Sequence, residues 1–557
     1  MKMMDVDVLI VGGGPVGLST AIELSRHGIS TLLVEKHEGT SIFPKARLVT
    51  TRTMEIFRAW GIQEEVERAG MPREEFLAVG VGSSLSADDF VRSAAALRRD
   101  APQSPTYMFL CSQDLLEVIL RRRAESRPGV EVRYGAAMTG FRQTPDGVEA
   151  VVSEASGETL VRCAYLVAAD GSRSGIREEL GIATEGPPPL GHMISIMFEA
   201  DLGFLPPDRR AALSFLTDPP CAVEAVDHRR RWMVQTGYEP EEGGSPADFT
   251  EEVCLAAVRG AVGVPDLPVT ILGVMPWLQQ AMVAASFRSG RVFLAGDAAH
   301  VATPQGGFGM NCGIQDAHNL AWKLAAVLRG TALPALLDTY EPERRPVGAR
   351  TVDESLHNAF ITFQMMEGRL SMREAIEQQA GRRSSEGLVL GFHYDSAAVV
   401  PDGTPAPAPE DPYRTYVPTA RPGHRAPHVW LSGPSGPVST LDLLGPGFTL
   451  LAASGAGWPA AAEEASARAG VPVAAVEIVA TDASGGDDCA FASPTWAKEY
   501  GLESGGAVLV RPDGHVGWRH AVGPASADAL SAALTAVLSR TPAISSPLAP
   551  PPPRPSA

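Results

Sequence analysis

Hydrophobic residues in this chain recur with two periods, and the switches between them delimit its elements. Short apolar runs rich in β-branched residues, at 8–11, 31–34, 130–134, 165–169 and 292–295, read as buried strands of a parallel sheet. Helical spacing sets Leu18, Ala21, Ile22 and Ser25 on one face, with Gly28 as the C-cap, and Met54, Phe57 and Trp60 on another. Two more helices are predicted, over residues 115–120 and along the segment carrying Trp322, Leu324 and Leu328. Between 180 and 284 the pattern changes to short alternating segments (194–199, 231–236, 269–274) separated by Pro and Gly. This predicts an antiparallel sheet inserted into the α/β frame. Residues 76–109 are mixed and are assigned to the first part of the frame. Residues 401–428 are Pro-rich and read as a linker or an extended wrap. A smaller α/β unit follows, with strands at 448–451, 473–479 and 506–510 and an Asp513-Gly514 turn into a last strand. The Pro-rich tail from 541 is predicted disordered and dispensable.

The first strand runs directly into Gly12-Gly13-Gly14-Pro15-Val16-Gly17, and a helix begins there. Strand, G-x-G-x-x-G and helix in that order form the dinucleotide-binding fingerprint. Gly12 permits the tight turn, Gly14 lets a pyrophosphate approach the backbone, and Gly17 lets helix and strand pack closely. Pro15 and Val16 open the helix, whose free N–H groups and dipole face the phosphates. The second strand ends in Glu35, followed by Lys36. A carboxylate there accepts hydrogen bonds from a ribose 2′-OH and repels a 2′-phosphate. The pocket therefore suits the ADP part of FAD or NAD and not that of NADP.

Composition narrows the partners. The formal net charge of −18 argues against nucleic acid. The six cysteines are scattered without C-x-x-C or zinc spacing, which predicts no disulfides, no metal and a reducing, cytoplasmic setting. No apolar stretch has the length of a membrane span. Monomer and homodimer both remain open.

Two further strand-to-turn junctions carry chemistry. Asp170-Gly171-Ser172-Arg173 ends one strand, with Ser174 and Arg177 following; Gly296-Asp297-Ala298-Ala299-His300 ends another and continues through Pro304, Gly306, Gly307, Gly309, Met310 and Asn311 into a helix. Asp170 and Asp297 can bond sugar or ribityl hydroxyls. The glycines let a flat ring lie against backbone, and the helix end favours negative charge on it. Lys45, Arg47 and Arg52 are candidates to sit over the pyrophosphate or the ring. In the inserted sheet, His192, Asp227, His228 and Tyr238 are candidate bases, with His228 and Tyr238 carried forward as catalytic. Trp232, Phe215 and Met193 are candidate walls of an aromatic pocket.

On these three motifs in this order the chain resembles the single-component FAD-dependent aromatic hydroxylases, the p-hydroxybenzoate and phenol hydroxylase class. The likeness extends to the branch tailoring aromatic polyketides in actinobacteria. It implies a discontinuous Rossmann-like FAD-binding domain (1–178 and 285–400), a substrate-binding β-sheet domain (179–284), a linker (401–428), a thioredoxin-like domain without dithiol chemistry (429–540) and a disordered tail (541–557). It implies that Gln113 lies near the ribityl chain and that Asp170, Gly171 and Arg177 serve both FAD and a passing NADPH or NADH. Many relatives carry arginine where Lys45 stands, so Arg47 is the alternative for that contact. The reaction implied is hydroxylation of a phenolic or polycyclic substrate by O2 through a flavin C4a-hydroperoxide. Baeyer–Villiger insertion, epoxidation and antibiotic-inactivating hydroxylation would use the same cofactor. A flavin-binding protein without turnover and an oxygen-excluding flavin dehydrogenase are the readings from other classes.

Overall fold

A run that is apolar on both faces can only lie inside a sheet covered on both sides, and strand Lys2–Val11 takes that place. The computed structural model describes residues 2–72, 79–93, 102–227, 230–366, 369–370, 374, 385–479 and 491–540. Lys2–Val11 pairs in parallel with Thr31–Glu35 on one side and Gly157–Ala168 on the other. The parallel set continues to Val130–Tyr134 at one end and Val292–Leu294 at the other. A hairpin, Ala137–Gln143 and Val148–Glu154, lies antiparallel on Gly157–Ala168. Helix Pro15–Arg26 packs against helices Gln113–Glu125 and Gly309–Leu328. This arrangement puts the C-terminal ends of three strands, at Val11, Ala168 and Leu294, side by side, where open α/β sheets bind ligands.

The inserted sheet has seven strands in the spatial order Thr270–Gln279, Gly191–Glu199, Arg231–Tyr238, Pro220–Ala225, Leu213–Thr217, Val79–Gly82 and Val91–Ser93. This corrects two expectations. The sheet is mixed, because Val79–Gly82 runs parallel to Leu213–Thr217. The last two strands come from before residue 100, so the substrate sheet is not confined to 179–284. The register of Val79–Gly82 depends on a partner more than a hundred residues away, which local alternation does not reveal. Helix Glu251–Val262 covers one face of this sheet through Cys254, Val258, Ala261 and Val262. Where the chain enters and leaves the domain, Thr184–Glu185, Met282–Ala284 and His300–Val301 form a small antiparallel sheet.

The third unit is a seven-stranded sheet in which Phe448–Ala453 pairs in parallel with Val473–Val479 and antiparallel with Ala507–Val510. Helices Trp458–Ala469 and Ala527–Val537 pack together on it. The stretch before it is largely exposed up to residue 419 and then turns inward, with Ala420, Arg425 and Ala426 at or below 1% exposure. Trp322, from the helix leading away from the cofactor turn, is part of this unit's core. The five described cysteines are buried and unpaired; Cys489 and the tail after Arg540 lie outside the described residues. Among the described residues no helix is long and apolar enough to cross a membrane.

Candidate active site

At the junction of the three strand ends, three glycines do three different things. Gly12 has φ +112, and a Cβ on it would lie 2.2 Å from the Ala169 carbonyl oxygen. A Cβ on Gly17 would lie 1.9 Å from the Gly12 carbonyl oxygen. Both positions are closed by backbone, so only glycine fits. Gly14 has φ −77 and nothing within 4 Å of the place its Cβ would occupy. The space in front of Gly14 is an open cradle at a helix N-terminus. Pro15 begins that helix, and Val16 locks it to the third strand end, where its Cγ2 fills the space beside Gly296 and Gly313.

Glu35 is oriented by backbone. Its Oε2 accepts the Gly13 N–H at 2.7 Å and its Oε1 the His37 N–H at 2.9 Å. Lys36, one residue beyond, is exposed. Asp170 accepts the Ile176 N–H on Oδ2, while Oδ1 is buried without a protein partner. Burial raises the Asp170 carboxyl pKa, against the pull of Ser174, Ile176 and Arg177. Gly171 beside it has φ +87 and open space at its Cβ position. Asp297 lies deep among protein atoms yet keeps its side chain open to the cleft. That depth raises its pKa, with His300 and Lys45 opposing the shift.

The loop that follows is pinned. Asn311 Oδ1 accepts the Thr50 N–H at 2.8 Å, and Nδ2 donates to the carbonyls of Leu48 and Gly307, also at 2.8 Å. Gly307 N–H donates to the Pro304 carbonyl. Pro304 is exposed, while Gly309 and Met310 are half-buried at the start of helix Gly309–Leu328. Beneath the Gly296 turn, Asp316 accepts from the Gly296 N–H (3.0 Å), contacts His300 Nε2 (2.7 Å) and pairs with Arg344 Nε (2.7 Å), all buried. Cys312 brings a third ligand-type atom into this cluster, but the Arg344 guanidinium already supplies its positive charge. An open pyrophosphate cradle, a ribose carboxylate, a buried unpartnered carboxylate oxygen and an open Asp297 fit one elongated dinucleotide.

The chain's comparisons with known proteins agree. A family described as "FAD binding domain" matches residues 5–355, and one described as "Aromatic-ring hydroxylase, C-terminal" matches residues 419–541. Tetracenomycin A2 monooxygenase-dioxygenase of Streptomyces glaucescens is 40% identical over 97% of this chain and 98% of its own. Aklavinone 12-hydroxylase RdmE of Streptomyces purpurascens is 38% identical over 97% of this chain and 100% of its own. The flavin-dependent monooxygenase PieE, solved with FAD and substrate, superposes with a TM-score of 0.87 at 33% identity, covering 97% of this chain and 100% of PieE. This chain belongs to the single-component FAD-dependent aromatic hydroxylases.

In this hydroxylase several basic residues have partners other than a cofactor. Arg47 turns away from the cradle to the substrate sheet. Its Nε pairs with Glu224 at 3.0 Å and its Nη1 donates to the carbonyls of Ala212 and Ala225 at 3.0 and 2.5 Å. Arg52 is buried, paired with Glu55 and donating to the Asp513 carbonyl. Arg177 donates to the carbonyls of Ala298 and Ser172, both at 3.1 Å, tying two strand-end turns together. Lys45 is exposed, and its charge opposes the rise that burial gives the Asp297 and Glu117 carboxyls. Of the two residues expected at that contact, Arg47 is held by the substrate sheet and Lys45 is exposed. Arg173 is exposed. Gln113 is buried at the start of its helix and donates to Glu117 at 2.6 Å.

The substrate-side candidates divide by sheet face. Residues directly opposite in the register share a face. His192, Ile194, Ile196 and Phe198 stand opposite Tyr238, Thr236, Val234 and Trp232. This is the face covered by helix Glu251–Val262. Tyr238 packs on His192 and Phe249 there, and Trp232 donates to the Ala200 carbonyl. The register thus sets Tyr238 and His192 on the helix-covered face, away from the flavin side, while Trp232 also packs on the cluster of Leu48, Leu110 and Ala225 where the sheet meets the flavin-binding domain. Asp227 accepts from the backbone of Arg230 and Arg231 and pairs with the Arg231 side chain, closing a turn. His228 lies outside the described residues.

The opposite face carries Met193, Ser195 and Met197 beside Trp277, Met275 and Gly273, with Gln235, Ala222 and Phe215 continuing the row. Met193 and Phe215 are both on this face. Three contacts turn this face toward the flavin-binding domain. Phe43 occupies the space at Gly273, Arg47 pairs with Glu224, and Gln279 Nε2 donates to Gln305 at 3.1 Å. Gln235, Trp277, Gln279 and Thr50 were not candidates from sequence. Alternation alone gives two faces per strand but not which one meets the flavin loop.

Proposed function

We propose that this FAD-dependent monooxygenase hydroxylates a flat polycyclic phenol or quinone of the polyketide type, with NADPH as reductant. The observation that carries the reading is the half-buried methionine- and aromatic-lined face set against the flavin loop by Gln279–Gln305. It suits a broad, rigid, polarisable ring system. RdmE is named for aklavinone and the Streptomyces glaucescens relative for tetracenomycin A2, and an aklavinone-11 hydroxylase solved with FAD and aklavinone has a TM-score of 0.84 at 36% identity.

FAD, when bound, supplies the activation of O2. The residues of this chain hold and enclose it. Gly14, at the open helix N-terminus, would receive the pyrophosphate, with Gly12, Pro15, Val16 and Gly17 shaping the turn; Glu35 would take the ribose, and Lys36 and Lys45 would lend positive charge nearby. Asp170, Gly171 and Asp297 bond the sugar and ribityl hydroxyls. The loop at 304–311 would line the ring, and the helix end would favour negative charge there. The substrate sheet excludes water from the reacting face. The C-terminal unit reads as thioredoxin-like; its parallel 448–453/473–479 pair beside an antiparallel edge supports that reading, and its core, continuous with Trp322, makes it a brace for the flavin helix.

The test is NADPH oxidation by the holoenzyme with hydroxylated anthraquinones or naphthacenequinones against single-ring phenols. Substrate-stimulated oxidation with a one-oxygen mass gain is expected for the polycyclic set. Stimulation by p-hydroxybenzoate alone would overturn the substrate class.

A further inference from the structure

On the sheet face turned to the flavin loop, most polar side chains already have partners. Ser195 Oγ accepts the Trp277 Nε1–H at 2.9 Å, Glu224 holds Arg47, and Gln279 donates to Gln305. Gln235 differs. It is half-buried at the middle of the strand Arg231–Tyr238, and among the described residues its carboxamide has no hydrogen-bond partner.

Its neighbours leave room above it. Ser195 and Ala222 stand directly opposite on the two adjoining strands, and Gly237 is two residues along. A Cβ on Gly237 would meet nothing closer than 3.7 Å. Around this low floor stand Met193, Met275, Trp277 and Phe215. The result is a floor of small side chains with two polar groups, Ser195 and Gln235, and apolar neighbours, the usual pattern of a surface that orients a ligand oxygen.

A carboxamide covered by a ligand loses its water and must be repaid with hydrogen bonds. It offers two N–H donors and one acceptor oxygen. A carbonyl beside a phenol hydroxyl, as on the edge of a hydroxyquinone, satisfies both functions together. We propose that Gln235 is a specificity-determining residue that reads a quinone or phenol oxygen of the substrate and so selects which ring carbon faces the flavin. The assignment rests on the polycyclic reading above.

The experiment uses the holoenzyme and its Gln235→Leu and Gln235→Glu variants. Each is titrated with 1,8-dihydroxyanthraquinone, 1-hydroxyanthraquinone and anthraquinone, followed by the flavin absorbance change. NADPH turnover and product position are read for the compounds that react. FAD content and melting temperature report folding. For Gln235→Leu we expect about tenfold weaker binding of the two hydroxylated compounds, a smaller loss for anthraquinone, which uses the N–H donor alone, and a larger share of NADPH oxidised without product. Gln235→Glu, which keeps only acceptors, should favour the hydroxylated compounds over anthraquinone more than wild type does, because it can take a phenol O–H but cannot donate to a quinone carbonyl. Equal effects on all three compounds, or none, in variants that retain FAD would overturn the role of Gln235 alone. Failure of wild type to bind any of the three would overturn the polycyclic reading, and the assignment with it.

Discussion

Asn311 and Thr50, far apart in sequence, are joined side chain to backbone at 2.8 Å, and this bond fixes the flavin loop to the start of helix Thr51–Trp60. The same amide holds the Leu48 and Gly307 carbonyls, so one buried side chain sets the height of the loop along which the ring is proposed to lie. Asn311→Leu leaves the Thr50 N–H buried and unpaired at a cost of about 1–3 kcal/mol. The expected outcome is a folded protein that loses FAD on gel filtration more readily than wild type, measured by flavin fluorescence in the flow-through.

The glycines of the first turn should separate binding from folding. Gly14→Val places its side chain into open space at an ordinary φ, so the apoprotein should fold and fail to take up FAD. Gly17→Ala drives a methyl into the Gly12 carbonyl and should destabilise the fold by about 1–3 kcal/mol or more. Denaturant unfolding of the two apoproteins checks the contrast; a Gly14→Val protein that binds FAD normally would disprove the cradle.

Much of this cradle was legible in sequence, and the reason is local. Gly12, Gly14, Gly17, Glu35, Asp170 and Asp297 all sit at strand ends, where an apolar run stops at a polar turn. The arginines were less legible. Arg47, Arg52 and Arg177 look like phosphate ligands in sequence, but each satisfies carbonyls or carboxylates brought in from distant segments. Tyr238 was misplaced for a similar cause, since the face it occupies is fixed by pairing with Gly191–Glu199.

The C-terminal unit is bolted to the flavin-binding domain by buried charge. Glu343 Oε1 and Oε2 pair with Arg511 at 2.7 and 2.8 Å, and Oε2 with Lys323 at 2.7 Å, with all three side chains fully buried. Burial lowers the Lys323 ammonium to about 8 despite Glu343. Glu343→Gln leaves buried Lys323 without its carboxylate partner and Arg511 with Asp513 alone, and should cost about 3–5 kcal/mol. A lower melting temperature with FAD loss at the same transition is expected; separate transitions would show that the two units are not coupled.

Stability should peak near pH 6.5. Burial lowers His424 to about 3 and His428 and His515 to about 4, so the fold keeps them neutral. The unfolded chain binds those protons below about 6.5, so their contribution is present above that pH and is lost as pH falls toward 4. His300 has the opposite sign. Burial disfavours its charge, yet Cys312 and Asp316 raise its pKa well above the ordinary value. Its contribution is complete below about 6.5 and lost as pH rises through the folded pKa. Urea unfolding at pH 5, 6.5 and 8.5 should show the maximum at the middle value, and His424→Gln should flatten the acid limb.

The most direct measurement is turnover under isotopically labelled O2 with NADPH and a polycyclic phenol. The prediction is one labelled oxygen atom in the product, with NADPH oxidation faster in the presence of substrate than without it. Product carrying oxygen from water instead would contradict the monooxygenase account.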